Sequence, residues 1–316
     1  MGKGREVQRV APNNGLADAL FKGLCRFFAL SVIVLMIAIF IVLVKEAYPS
    51  IRAFGWGFLT GSTWDPVAPE FGALPAIYGT LISSLIALAI ALPVSLGIAV
   101  FITEMSPSWL KAPIGAAIEL LAAIPSIIYG MWGLFVFAPL FAEHVQPFFI
   151  ERLGFIPLFA GAPLGIGMFP AGFILAIMII PFISSVMRDL FQMVPPILKE
   201  SGYGVGATKW EVIWKVVVPY AGSGIFGAVI LGLGRALGET MAVTFIIGNS
   251  FRISASLFDP GTSISAKLAN EFTEAVEDIY LSSLVELGLI LFVITFMALA
   301  TAKLMTRRMA IKAGRS

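Results

Sequence analysis

Long runs of residues that are almost free of charge constrain the fold of this chain most. About 20 apolar residues cross the hydrocarbon core of a bilayer as one helix, and six runs approach or exceed that length. Glu119 interrupts the third run near its start, and Pro125 is expected to bend it. Six spans place both chain termini on the same side of the membrane. The predicted transmembrane helices are Phe27–Val44, Leu74–Thr103, Ala112–Ala142, Ala171–Met187, Tyr220–Ile247 and Leu281–Lys303.

The composition indicates the same class of protein. Apolar residues make up 59% of the chain and charged residues 13%, whereas a typical soluble domain carries about 25% charged residues. We therefore predict an all-α integral membrane protein in contact with lipid. The net charge of +2 comes from lysines and arginines beside the apolar runs, so no nucleic-acid partner is expected. Cys25 is the single cysteine and His144 the single histidine, which gives no basis for a disulfide or a metal cluster.

The distribution of Lys and Arg predicts the orientation in the membrane, because loops rich in these residues stay in the cytoplasm. With both termini inside, 15 of these residues fall in cytoplasmic segments and 5 in outer segments. Residues 1–26 then form a basic cytoplasmic tail, 27–47 the first transmembrane helix and 306–316 a second cytoplasmic tail. The first apolar run lacks a small-residue cleavage site, so we expect an uncleaved anchor.

The segment 195–219 is polar and lies between two apolar runs, on the predicted cytoplasmic side. Pro196 suits the first position of a short helix, where its missing N–H costs nothing. Gly202, Gly204 and Gly206 are expected to break that helix. The pattern predicts a helix–turn–helix that lies in the membrane surface.

A second short helix is expected to open at Thr208. Thr208 and Glu211 have the spacing of a capping box, in which the Glu211 side chain reaches back to the Thr208 amide. Pro219 is expected to end this helix. An ordinary amphipathic loop at the membrane interface is the alternative interpretation of the whole segment.

Arg235 and Glu239 are the deepest charges in the predicted spans. At a spacing of i, i+4 they would share one face of a helix, and Arg235 would lie about 24 Å along that helix from Pro219. A charge at the bilayer centre costs about 2.5–3.5 kcal/mol, which pairing would reduce. The two residues form either a structural ion pair or part of a translocation pathway. The planar guanidinium of Arg235 matches the oxygens of a carboxylate or a phosphate.

The sequence contains no catalytic constellation. A Walker A loop requires Gly-x4-Gly-Lys-Ser/Thr to hold the phosphates of ATP, and no such run occurs. We therefore expect a subunit that is not an enzyme and that holds no cofactor or metal. If ATP drives its work, ATP and Mg²⁺ bind a partner subunit.

The spacing within the 195–219 segment resembles a signature of the permease subunits of binding-protein-dependent ABC importers. That signature is Glu-Ala-Ala, three residues, Gly, nine residues, Ile-x-Leu-Pro. Here Glu200-Ser-Gly202 is followed by Gly206 and then by Val216-Val-Val-Pro219. The resemblance implies a type-1 ABC importer permease with six transmembrane helices. It also implies that this segment, including Glu200, Gly202, Gly206, Thr208, Glu211 and Pro219, docks into a cleft on a cytoplasmic ATPase.

Three further runs are similar to phosphate-specific (Pst) ABC permeases, and the similarity covers most of residues 71–305. The runs are 73–81, 123–130 and 234–242, and the last contains Arg235 and Glu239. The outer loops resemble the PstC type more than the PstA type. The resemblance implies a permease domain over 71–305 in a bacterial inner membrane. Its expected partners are a homologous PstA-like permease, an ATPase dimer and an extracytoplasmic phosphate-binding protein.

Two alternative functions stay open at the level of sequence. One is an ABC permease for another oxyanion, such as sulfate or molybdate. The other is an ion or proton channel subunit, in which Arg235 and Glu239 would act as a relay. The channel alternative leaves the capped helices of the 195–219 segment without a role.

Overall fold

The protein is built almost entirely of helices. The computed structural model describes the backbone of residues 15–312 and the side chains of residues 18–306. Within this part of the chain, six helical stretches of 25 to 37 residues are apolar enough to cross a membrane, which confirms the predicted number of spans. Spans 1 to 6 are Asp18–Phe54, Leu74–Met105, Ser126–Leu153, Met168–Gln192, Lys209–Leu237 and Asp278–Thr306.

Shorter helices and π-helical turns make up or connect the spans. The α-helices, α1 to α14, are Gly15–Phe54, Gly57–Thr60, Leu74–Val100, Ser108–Ala122, Ser126–Trp132, Ala138–Leu140, Gln146–Leu153, Met168–Gln192, Pro196–Gly204, Lys209–Val212, Val218–Leu237, Met241–Ile246, Ile264–Glu271 and Asp278–Lys312. The π-helical segments are Phe101–Met105, Gly133–Phe137, Phe141–Val145 and Ile213–Val217, and a 3₁₀ turn covers Pro157–Phe159. Strands β1 (Trp64–Asp65) and β2 (Glu70–Phe71) pair antiparallel.

The chain divides into two units, Met1–Lys45 and Glu46–Ser316. In the described part of the first unit, the consecutive apolar side chains of Ile33, Val34 and Leu35 are all exposed, although they point in different directions around the helix. A helix that is apolar on every side is suited to a lipid environment.

Span 4 forms the centre of the second unit, and 61% of its most apolar 18-residue stretch is buried. Ile174, Ile179 and Ile183 are fully buried there. Span 2 packs along span 4, and the Ser95 hydroxyl donates a hydrogen bond of 3.2 Å to the carbonyl of Ile180. In a bilayer, close packing between helices rather than their apolar character holds such a shared core together.

The third span begins later than the sequence pattern predicts. The predicted range Ala112–Ala142 includes the end of α4 and the whole of α5. The helix is interrupted between them, just before Pro125. Proline has no N–H and excludes the preceding residue from the helical region, so a break here costs less than a continuous helix. Glu119 consequently lies outside the span, and Arg188 donates a 3.1 Å hydrogen bond to its carboxylate.

The fifth span was predicted wrongly at both ends. The predicted range was Tyr220–Ile247, whereas the helical stretch runs from Lys209 to Leu237. Pro219 does not end a helix, because it follows a π-helical turn at the start of α11. A π turn shifts the hydrogen-bond register, which accommodates a residue without an N–H. At the other end, the helix stops before Gly238 and α12 follows as a separate turn.

A polar cluster surrounded by aromatic rings joins the segments near β1, α13 and the start of span 6. The Glu271 carboxylate accepts hydrogen bonds of 2.8 Å from the Trp64 indole and from the Tyr280 hydroxyl, and it forms an ion pair with Lys267. The Lys267 ammonium also lies 4.8 Å from the centre of the Phe251 ring. Burial lowers the pKa of Lys267, and the Glu271 carboxylate opposes that shift.

Candidate functional site

The turn of the 195–219 segment is made by Gly206. Its φ angle is +86°, a left-handed conformation that side chains rarely adopt. Its N–H donates a 2.9 Å hydrogen bond to the carbonyl of Tyr203. No atom lies within 4 Å of the position that a Cβ would occupy, so backbone conformation alone selects glycine here.

The predicted break at Gly202 was wrong, since α9 continues through it, whereas Gly204 is the last residue of that helix. At Gly202 the reason is packing: a Cβ would lie 3.0 Å from a methyl carbon of Val212. Val212 and Ile213 are buried. Gly202 therefore allows α9 to lie close against the beginning of span 5.

The predicted capping box at Thr208 is confirmed. The Thr208 hydroxyl accepts from the Glu211 amide at 3.3 Å, and the Glu211 carboxylate accepts from the Thr208 amide at 3.0 Å. Lys215 donates a further bond of 2.9 Å to the same carboxylate. A cap of this kind stabilises a helix start by about 1 kcal/mol, so the entry into span 5 is well defined.

An ion pair ties α9 to the end of span 2. Lys199 on α9 donates a hydrogen bond to Glu104, which lies in the π-helical segment Phe101–Met105. The Glu104 side chain is 7% exposed and that of Lys199 is 21% exposed. The two residues are 95 positions apart, and no sequence spacing signals such a contact. Glu200, which the resemblance singles out, is exposed instead.

The surface of the 195–219 segment presents large apolar side chains. Val205 is 86% exposed, Ile197 66% and Trp210 61%. The Trp210 and Trp214 rings meet edge to face, with centroids 5.4 Å apart. An apolar surface of this kind on a polar, capped helix pair is suited to contact with a partner or with the membrane interface.

Arg235 and Glu239 do not share a helix face, which corrects the prediction. Arg235 lies in the last turn of α11, whereas Glu239 lies beyond the end of the helix at Leu237. The Glu239 carboxylate accepts a long hydrogen bond of 3.4 Å from the Ala242 amide. Gly238 follows the helix, and glycine costs more conformational entropy in a helix than other residues do.

Arg235 reaches toward the neighbouring spans. Its guanidinium carbon lies 5.9 Å from the centre of the Phe182 ring on span 4, within the range of a cation–π contact. It also interacts electrostatically with Tyr129 at the start of span 3. The Arg235 side chain is exposed, while Glu239 is half-buried. An exposed guanidinium among three spans can bind an anion that reaches this depth.

The sequence matches the family described as "binding-protein-dependent transport system inner membrane component" over residues 93–311, which is more than half of the chain. The chain belongs to this family. It is therefore a multi-pass permease of the inner membrane and not an enzyme. The predicted PstC-like resemblance is confirmed by relatives that align along almost the whole chain.

Two of these relatives carry the description "Phosphate transport system permease protein PstC". The protein from Pasteurella multocida is 56% identical over 307 residues, covering 96% of each chain. That from Haemophilus influenzae is 58% identical over 301 residues, covering 94% of this chain and 95% of the relative. "Phosphate transport system permease protein PstC 2" from Mycobacterium tuberculosis is 39% identical and covers 90% of each chain.

Solved structures of ABC importers share the fold. A bacterial alginate ABC transporter in complex with an alginate-bound periplasmic protein superposes with a TM-score of 0.56 at 19% identity, over 92% of this chain and 97% of that chain. The inward-facing MetNI methionine ABC transporter superposes with a TM-score of 0.57 at 16% identity, over 78% and 99%. The predicted fold class, an all-α ABC importer permease, is confirmed.

Proposed function

We propose that this chain is the subunit of an ATP-binding-cassette importer through which inorganic phosphate crosses the inner membrane. The observation that carries the proposal is the identity of 56–58% with phosphate permeases along almost the whole chain. Arg235 supports it chemically, because a guanidinium offers paired donors that match phosphate oxygens.

The proposed complex contains four kinds of subunit. The 195–219 segment docks onto an ATPase dimer in the cytoplasm, and its exposed Val205, Ile197 and Trp210 supply the contact surface. A homologous PstA-like permease completes the pathway, and a phosphate-binding protein delivers the ion from outside. ATP and Mg²⁺ bind the ATPase, and this chain binds no cofactor. Both chain termini face the cytoplasm, in line with 15 Lys and Arg residues on that side against 5 outside.

In the proposed pathway, Arg235 attracts the phosphate and Glu239 controls its access. A phosphate dianion is repelled by an ionised carboxylate, so a Glu239 close to Arg235 would compete with the substrate. The hydrogen bond from the Ala242 amide to Glu239 holds the carboxylate beyond the end of the helix and leaves the guanidinium to the ion. Movement of Glu239 back toward Arg235 would close the site to phosphate, so in this proposal the two charges act as a switchable gate rather than as a fixed ion pair.

The test uses the whole complex in proteoliposomes, with the binding protein outside the vesicles and ATP inside them. We expect ATP-dependent uptake of radiolabelled phosphate, and we expect a hundredfold excess of unlabelled sulfate or molybdate to leave it unchanged, since specific binding sites separate such anions by their hydrogen bonds. Uptake without ATP would indicate a channel. Competition by sulfate as strong as that by unlabelled phosphate would assign the permease to another oxyanion.

A further inference from the structure

Glu104 is an enclosed carboxylate at the end of span 2, where this span meets the 195–219 segment. Its side chain is 7% exposed, and its partner there is Lys199 of α9. A buried carboxylate needs a partner, because desolvation without compensation is strongly unfavourable. The position of α9 is therefore linked to the position of the end of span 2 more firmly than an exposed ion pair would allow.

The end of span 2 is itself an irregular element. Phe101–Met105 is π-helical, a form that occurs often at functional sites. A second lysine, Lys111 on α4, donates a 2.8 Å hydrogen bond to the carbonyl of Thr103. Lys111 is exposed and its hydrogen bond goes to a main-chain carbonyl, so it offers a comparison for Lys199.

The opposite end of span 2 touches the segment 248–264, which follows α12 and ends at the first residue of α13. A Cβ atom at Gly79 would overlap the carbonyl oxygen of Thr262, so the two main chains are in direct contact. The amide of Ile264 donates a 2.9 Å hydrogen bond to the Thr80 hydroxyl. The Tyr78 hydroxyl donates a 3.0 Å bond to the carbonyl of Ser254.

Between these two contacts, span 2 is helical throughout, with Pro93 in its interior and a π-helical segment at its end, and it packs along span 4. It has 32 residues, and a helix of that length extends for about 48 Å. Packed interiors are stiff and transmit displacement. A movement of α9 that is passed to Glu104 would therefore reach the 248–264 segment at the other end of the same span.

We propose that the Lys199–Glu104 pair is a coupling link through which ATPase-driven movement of α9 shifts span 2 and, through Gly79 and Thr80, the 248–264 segment. The proposal rests on the proposed function, in which an ATPase moves α9. Lys199 and Glu104 are positioning residues in this scheme, and neither contacts the transported ion.

The first readout follows movement and needs no substrate. A single reporter cysteine is placed at Ile253, which is 45% exposed in the 248–264 segment, in a Cys25→Ser background. We expect ATP to change the rate at which this cysteine is labelled in the assembled complex. Lys199→Gln and Glu104→Gln should abolish the change, the double exchange Lys199→Glu with Glu104→Lys should restore it, and Lys111→Gln should leave it intact.

The second readout is the number of phosphate ions imported per ATP hydrolysed. Each single substitution should lower this ratio by about fivefold or more, the lower end of typical coupling effects, in the complexes that do assemble. A purely structural pair would reduce the amount of complex and leave both readouts normal per complex, which would overturn the inference. So would a full labelling response in Lys199→Gln.

The two readouts separate the inference from the proposed function. A wild-type complex that imports no phosphate but shows the ATP-dependent labelling change, lost in Lys199→Gln, would refute the phosphate assignment and support the link. Phosphate import with an unchanged ratio in both single variants would refute the link and support the assignment.

Discussion

Arg235 and Glu239 lie on either side of a helix end, and the carboxylate of Glu239 accepts from the Ala242 amide. Among the ion pairs of the described residues, none joins Arg235 to Glu239. Four positions of separation would have made them neighbours on a continuous helix. The break before Gly238 therefore frees the guanidinium from the partner that the sequence assigns to it.

The separation of these charges leads to the first prediction. Arg235→Gln should lower phosphate uptake per assembled complex by tenfold or more, because a charge-assisted hydrogen bond is worth about 1.5–3 kcal/mol. Complex assembly should stay near normal, and Glu239→Gln should also impair uptake. The double variant is decisive: full transport by Arg235→Gln with Glu239→Gln would show that neither charge acts on the transported ion.

The left-handed turn at Gly206 leads to the second prediction. Gly206→Val should leave membrane insertion intact but weaken ATPase docking or uncouple hydrolysis from transport, since valine is strained at a positive φ. Gly206→Asn should be milder, because asparagine tolerates this conformation better. Gly222→Ala serves as the control, since open space surrounds a Cβ there as well. Measured ATPase binding equal to wild type in Gly206→Val would contradict the role of this turn.

The capping box leads to the third prediction. Thr208→Ala should destabilise the start of span 5 by about 1 kcal/mol, whereas Thr208→Ser should retain most of the cap. Hydrogen exchange of the amides over 208–212 in the purified complex reports this local stability. Equal protection in the alanine and serine variants would show that the cap does not hold the helix start.

The cluster around Glu271 leads to the fourth prediction. Glu271→Ala would leave the Lys267 ammonium and the Trp64 indole without their acceptor, a loss of about 1–3 kcal/mol for partly buried groups that lose a hydrogen-bond partner. Thermal unfolding of the purified complex should shift to lower temperature by several degrees. Glu274→Ala, at an exposed position nearby, is the control and should unfold like the wild type.

The number of spans follows from the sequence because a continuous apolar run has few alternatives to a transmembrane helix. The capping box is equally visible, since Thr208 and Glu211 interact over three residues. The ends of spans 3 and 5 depend on local competition. At Pro125 the helix breaks, but at Pro219 a preceding π turn accommodates the same residue type, and hydropathy does not distinguish these outcomes.

The contacts between distant residues at the candidate site could not be predicted from the sequence. Lys199 meets Glu104 across 95 positions, and Gly79 meets Thr262 through the main chain. Both contacts depend on how the spans pack, which side-chain periodicity along one helix does not encode. The family resemblance located the docking segment but assigned no role to these residues.

The π-helical segment Ile213–Val217 has a consequence for the geometry of the whole fifth span. Each α-helical residue turns the chain by about 100°, and a π turn holds one residue more than the α-helix would. Deleting one residue from Ile213–Val217 would therefore convert this turn into an α-helical turn and leave the direction of Arg235, roughly 27 Å further along the helix, largely unchanged. A deletion of one residue within α11 would instead turn Arg235 by about 100° around the helix axis. The π-helical segment is thus a place where the fifth span can lose a residue without redirecting its charged side chain.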